Sequence, residues 1–151
     1  MLVEYLGIFI SSLLGSATVI FPLPSFLIVF GAGAALNPFL VGVVAGVGSA
    51  IGELIGYCVG YGGKKLLEKR VKMKKIKWFS RAEKWMKKSG FIVILIFAMT
   101  PLPDDIIGII AGSIKYDVKK YFIACLIGKI ILSLFIAYAG YYGAQWALDY
   151  V

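Results

Sequence analysis

Apolar positions run along the chain in long blocks with few polar interruptions, and block length predicts the elements. A helix that crosses about 30 Å of hydrocarbon needs about 20 residues. Residues 39–61 and 121–142 meet that length. Other apolar blocks are cut in half. Residues 91–100 run into Pro101-Leu102-Pro103-Asp104-Asp105, and 106–114 follow. Earlier, an apolar stretch ends at Phe21, Pro22-Leu23-Pro24-Ser25 follows, and 26–36 are apolar again up to Asn37-Pro38. Proline removes a backbone donor, so a Pro-x-Pro break inside a membrane needs protein or a wet cavity around it. Two half-length helices around such a break predict a re-entrant hairpin. The alternative is one continuous helix kinked at each Pro-x-Pro, which would put Lys115, Lys119 and Lys120 across the membrane from the main basic loop, against the positive-inside bias.

The pattern repeats. A shift of 79 residues lays Pro22-Leu23-Pro24 on Pro101-Leu102-Pro103 and Ala32-Gly33 on Ala111-Gly112. A shift of 80 lays Gly48 on Gly128, Gly60-Tyr61 on Gly140-Tyr141 and Gly63 on Gly143. A hairpin crosses the bilayer zero times and a spanning helix once, so each repeat makes one crossing and the second copy must be inverted. Inverted repeats with broken helices meeting at the midplane are a recurring design of secondary transporters. The expected fold is an all-α multi-pass membrane protein, a single domain over 1–151. Repeat 1 covers about 5–63, a basic amphipathic helix 64–89 links the halves, and repeat 2 covers about 90–143.

Composition narrows the class. Of 151 residues, 60% are hydrophobic and only 16% charged, where a soluble domain is about half apolar and a quarter charged. Two cysteines give no disulfide framework, and the absence of His excludes imidazole chemistry. Cys58 and Cys125 read as small hydrophobes. Residues 1–20 lack the basic start of a secretory signal, which keeps them in the mature chain.

The net charge of +8 is concentrated: twelve of sixteen basic residues lie between Lys64 and Lys88. Such a stretch can bind nucleic acid, but between apolar segments it reads as a cytoplasmic loop, with no nucleic-acid partner. Leu67, Val71, Trp78, Ala82, Trp85 and Met86 recur among its lysines at helical spacing, which suits a helix on an anionic leaflet. A cytoplasmic 64–88 places both termini outside a cell membrane. Tyr141, Tyr142 and Trp146 read as interfacial anchors.

The two Pro-x-Pro hairpins, Gly52-Glu53-Leu54-Ile55-Gly56-Tyr57, and Thr100-Pro101-Leu102-Pro103-Asp104-Asp105 followed by Ala111-Gly112 carry a resemblance. Over roughly residues 10–143 the chain resembles DedA-type membrane proteins, also called VTT or SNARE-associated Golgi proteins. The resemblance implies movement of phospholipids or polyprenyl-phosphate carriers between leaflets, with a proton or cation as coupling ion. It departs from many members at Ser25-Phe26, where an acidic residue is usual, and around Met99, Thr100, Asp104 and Asp105, where arginines are.

Four charges at hydrocarbon depth are the candidate chemistry. Glu53 lies about 12 Å from the cytoplasmic end of its helix, and Lys129 at similar depth. Asp104 and Asp105 fall at the second hairpin tip. Each costs about 2.5–3.5 kcal/mol or more there and is expected to pair or face a cavity. In a functional reading they line a substrate and ion pathway. The first tip (Pro22, Pro24, Ser25) and Lys129 receive a phosphate headgroup. The second tip (Thr100, Pro101, Pro103, Asp104, Asp105) and Glu53 handle protons or a cation. In a structural reading Lys129 pairs with Asp104 or Asp105, Glu53 bonds a broken-helix amide, and Asp104 caps the half-helix after it. Gly48, Gly52, Gly56 and Gly60 form a small-residue stripe for packing on the chain's own hairpins or on a second copy.

The expectation is therefore a lipid flippase or scramblase, not an enzyme, with no cofactor or metal. A small-solute or ion transporter on the same architecture is the alternative. A membrane enzyme acting on lipid phosphates and an assembly protein using the 64–88 helix are weaker readings.

Overall fold

Where the apolar run is long and free of internal proline, the helix is long. Where Pro-x-Pro intervenes, it is short. The computed structural model describes residues 2–17, 23–70, 77–101 and 105–149, with backbone alone at 23–24, 64–70, 77–79, 82 and 105. These residues form six helices and no strand: α1 (Leu2–Ala17), α2 (Leu23–Ala35), α3 (Pro38–Arg70), α4 (Lys77–Ala98), α5 (Asp105–Ser113) and α6 (Val118–Asp149). Two of them are long and apolar enough to cross a bilayer, α3 over Pro38–Gly63 and α6 over Val118–Asp149. α4 and α5 are separate helices, and residues 102–104 between them lie outside the described residues. Pro22 and Pro103 lie outside the described residues, and Pro24 is already in the first turn of α2.

Both long helices start on a side-chain cap. Asn37 Oδ1 accepts the N–H groups of Phe39 at 3.0 Å and Leu40 at 3.3 Å. Asp117 Oδ1 accepts those of Lys119 at 2.9 Å and Lys120 at 3.0 Å. Each cap satisfies donors that the first turn of a helix cannot satisfy itself. The Asp117 carboxyl is held below its ordinary value, mainly by the Lys120 N–H, which outweighs an opposing desolvation, with the Lys119 N–H and the two lysine charges adding to the lowering. α5 ends on a left-handed residue, Lys115 (φ 56°), where Tyr116 N–H returns to the Ala111 carbonyl at 2.9 Å and Lys115 N–H to Gly112 at 3.0 Å.

The expected basic linker helix 64–89 falls partly outside the described residues, at 71–76. α3 continues through the basic stretch to Arg70, and α4 begins at Lys77 and runs on to Ala98. One non-helical residue, Ser89 (φ −145°, ψ 43°), divides the basic half of α4 from its apolar half. Of the apolar positions predicted for this stretch, the described side chains are Trp85, 62% exposed, and Met86, buried in the core.

Glycines decide which helices touch. α3 and α6 are antiparallel, with Gly42 against Leu134 and Gly46 against Ile130. Gly48 and Gly52 let α1 lie along α3, and Gly60 lets α5 approach it. That stripe is used within the chain. α2 packs on α6 and α5 packs on α3, so each short helix covers the long helix of the other half. The contacts are backbone-close. A methyl on Gly33 would collide with the Ala137 carbonyl, one on Gly140 with Phe30, one on Gly112 with Tyr57, and one on Gly60 with Ile109. Small residues that admit such approach are how helices associate in lipid, where apolar burial gives little driving force. Large apolar side chains such as Leu27, Phe135, Ile55 and Ile92 face outward. A helical chain with apolar residues outside and charges inside suits a lipid solvent.

Candidate functional site

Among the described residues, the buried polar or charged side chains are five: Ser12 on α1, Ser25 on α2, Glu53 on α3, and Lys129 and Ser133 on α6. Glu53 and Lys129 are an ion pair, Nζ to Oε1 3.0 Å, with side chains 2% and 7% exposed. They come from the two spanning-length helices and are about 15 Å along α3 from Gly63 and about 16 Å along α6 from Val118. Seventy-six residues separate them in sequence. The antiparallel crossing of α3 and α6 brings them together.

The packing around the pair follows from the residues beside it. Gly52 precedes Glu53, and the end of α1 lies on it: a methyl there would stand 2.5 Å from the Leu13 carbonyl oxygen and 2.8 Å from Ser16 Cβ. Gly15, next to Ser16, presses on Ser25 in the first turn of α2. Gly128 precedes Lys129, and the end of α4 lies on it, through Ala98 and the Leu95 carbonyl. The ends of α1 and α4 thus abut the two glycines adjoining the ion pair. Glu53 and Lys129 are in direct contact, and Pro22, Pro103 and Asp104 of the two expected tips lie outside the described residues.

Other polar groups on these helices also have low exposure. Ser12 Oγ is buried with no hydrogen-bond partner. It sits on α1 between Phe9 and Leu13, both of which contact the glycine face of α3. Ser133 lies one turn beyond Lys129 on α6. The Tyr121 hydroxyl donates to the Glu53 carbonyl at 3.4 Å. Tyr121 also stacks at 5.0 Å on Tyr57, whose hydroxyl donates to the Tyr116 carbonyl. An aromatic clamp therefore holds α3 to α6 on one side of the pair.

The remaining predicted residues stand as follows. Thr100 Oγ1 donates to the Phe97 carbonyl at 2.9 Å, closing the end of α4, and Pro101 is exposed. Asp104 lies outside the described residues, and Asp105 is described only as the first residue of α5. Lys129 meets Glu53, and its expected pairing with Asp104 or Asp105 falls on side chains outside the described residues. Gly56 lies beneath Gly108 of α5. Sequence reasoning missed Ser12, Ser133 and Tyr121. A polar residue inside an apolar helix was the available sign for the serines. Among the described residues no group of His, Cys, Asp and Glu is arranged to hold a metal ion.

On the outward side of α3, Ile51, Leu54, Ile55, Cys58 and Val59 form a shallow, open apolar depression. A family model described as the VTT domain matches residues 23–142, which include α2 through most of α6 and both members of the ion pair. No curated protein and no solved structure gives a significant match.

Proposed function

The chain belongs to the VTT domain family, and from that premise we propose that it is a multi-pass membrane transporter, not an enzyme, that carries phosphate-bearing lipid headgroups between leaflets. The observation that carries this reading is the buried Glu53–Lys129 pair on the two spanning-length helices. A buried ion pair contributes little net stability compared with apolar packing, so stability alone is a weak reason for placing one there. An ammonium at hydrocarbon depth can receive a phosphate, and a carboxylate beside it can balance charge with a proton or cation.

The architecture proposed for this task is two inverted repeats, each a re-entrant pair of short helices plus one spanning helix. Matched contacts support it: Gly33 on Ala137 corresponds, by the shifts of 79 and 80, to Gly112 on Tyr57, and Gly140 on Phe30 to Gly60 on Ile109. The caps Asn37 and Asp117 correspond by 80. In the proposed topology the basic stretch 64–88 faces the cytoplasm and both termini face outside. The open apolar depression on α3 favours a lipid over a water-soluble solute, because an acyl chain needs an apolar surface.

The test is a flipping assay in vesicles containing only this protein, with fluorescent phospholipid and polyprenyl-phosphate probes, with and without a pH gradient. Headgroups move with wild type, and movement falls to the protein-free background in Lys129→Ala. Glu53→Gln and Asp105→Asn lose any response to the gradient. Uptake of a water-soluble solute without lipid movement would replace this reading with that of a solute transporter.

A further inference from the structure

Elements far apart in sequence bring positive charge to one end of the molecule. The basic half of α4 ends at Ser89, and the next residue, Gly90, lies against the ring of Tyr116: a methyl there would stand 2.6 Å from Tyr116 Cε2. That contact sets the turn between α5 and α6, with Lys115, Lys119 and Lys120, beside the foot of the basic half. α3 joins them, because the Tyr57 hydroxyl donates to the Tyr116 carbonyl and the Lys115 ammonium stands 5.7 Å from the centre of the Tyr61 ring. We propose that this composite surface binds the headgroups of anionic phospholipids in one leaflet. The inference goes beyond the transport reading and does not need it, since it concerns which lipid stands at the protein's edge at equilibrium.

The basic half of α4 is seated on one face and open on the other. Met86 is 1% exposed and packs in the core with Tyr57 and Tyr121. With 3.6 residues per turn, Arg81, Lys84, Trp85 and Lys88 share an arc of about 100°, centred about 150° away from Met86. All four are exposed, Trp85 by 62%. Such a face suits the headgroup layer, where tryptophan is enriched and long cationic side chains reach phosphate. Past the kink the outward side chains are Ile92 and Ile96, so α4 changes from charged to apolar at Ser89. Trp85 lies one turn before that border.

The carboxylates described at this end are already engaged. Glu83 pairs with Lys87 at 2.9 Å, and Asp117 accepts the N–H groups of Lys119 and Lys120. Among the described residues no carboxylate pairs with Arg81, Lys84 or Lys88. Seven basic side chains therefore face two acidic ones, and the fitting partner is anionic. The adjoining lipid-facing Ile92 and Ile96 favour a leaflet over a soluble acidic protein. Each basic residue held at an anionic leaflet multiplies binding roughly fivefold. The other end of α6 provides an internal control. Residues 130–151 contain no Lys or Arg, and Trp146, exposed, lies about 39 Å along α6 from Lys120.

The experiment is tryptophan quenching in vesicles of phosphatidylcholine and phosphatidylglycerol, with bromine near the headgroup end of the chains of one lipid or the other, at equal mole fraction. The full-length protein with Trp78→Phe and Trp146→Phe reports from Trp85; with Trp78→Phe and Trp85→Phe it reports from Trp146. Brominated phosphatidylglycerol quenches Trp85 at least about twice as strongly as brominated phosphatidylcholine, and the two quench Trp146 equally. The excess vanishes in 1 M salt, where the Debye length is about 3 Å. Arg81→Gln, Lys84→Gln and Lys88→Gln together also remove it. Equal quenching of Trp85 by both lipids overturns the proposal and leaves the surface to a soluble acidic partner. An equal excess at Trp146, or an excess that survives the triple substitution, overturns it as well. Wild type decides even if these variants do not fold: electron spin resonance of spin-labelled lipids finds more phosphatidylglycerol than phosphatidylcholine held at its perimeter at low salt, and no such excess overturns the proposal. Headgroup movement without the excess keeps the transport reading and removes this one. The excess without movement does the reverse.

Discussion

Under the proposed two-repeat reading, the glycine seams and helix caps of the two halves correspond position by position, and the buried charges do not. Gly33 rests on the Ala137 backbone as Gly112 rests on that of Tyr57, and Asn37 opens α3 as Asp117 opens α6. The shift of 80 that aligns these contacts lays Glu53 on Ser133 and Ser49 on Lys129. A duplicated scaffold would hold two equivalent polar pairs across the α3–α6 crossing. One is the ion pair, and the other position carries two serines. On that reading the packing is used twice and the charge once, which separates what holds the helices together from where the buried charge sits.

The comparison breaks most visibly at the charges. Glu53→Ala leaves a buried ammonium without its carboxylate, and the expected loss is about 3–5 kcal/mol. Ser133→Ala, at the corresponding position of the other half, is expected to cost less than about 1 kcal/mol. Thermal unfolding in detergent, followed by circular dichroism, measures both. Equal losses would mean that the crossing is as symmetric in chemistry as in packing.

The glycine seams give the next effect. Gly33→Ala and Gly112→Ala each drive a methyl into a facing carbonyl, and about 1–3 kcal/mol is expected from each, nearly equal between halves. Gly7→Ala and Gly31→Ala meet open space and serve as controls that lose nothing. A large inequality between the first two would argue against a common scaffold.

The caps give the smallest effect and the sharpest asymmetry. Asn37→Ala is expected to cost about 1 kcal/mol at any pH. Asp117 behaves differently because its carboxyl is held low in the folded chain by backbone donors. Its contribution is present above the unfolded carboxylate value of about 3.9 and is lost as pH falls through the lower folded value. Amide exchange at Lys119 and Lys120 should therefore quicken in acid while that at Phe39 and Leu40 holds its protection.

Much of this arrangement was legible in the sequence. Residues 39–61 and 121–142 announced the two long helices by length, and the breaks at Pro22-Leu23-Pro24 and Pro101-Leu102-Pro103 separated α1 from α2 and α4 from α5. The depth of Glu53 and Lys129 marked both as expensive. Their pairing was not legible, because it depends on the register at which α3 and α6 cross, and glycine spacing permits several. Nor could the stripe at Gly48, Gly52, Gly56 and Gly60 name its partners, since small residues allow close approach without selecting who approaches. Asn37 and Asp117 were readable as caps and as a matched pair under the shift of 80, but the apolar runs drew the boundaries instead. The extent of α3 to Arg70 was hidden because helical lysines carry no apolar period of their own.

The crossing-over of the short helices has a consequence for how the chain can be divided. α2 lies on a long helix made after it, and α5 on one made before it, so neither half is complete when synthesised alone. A polypeptide ended after α3 would leave the carbonyls of Tyr57 and their surroundings without a lid, and α2 without a seat. Fragments divided between α3 and α4 should therefore be unstable on their own and recover only as a mixture, because each would lack the helix that the other's short helix packs on.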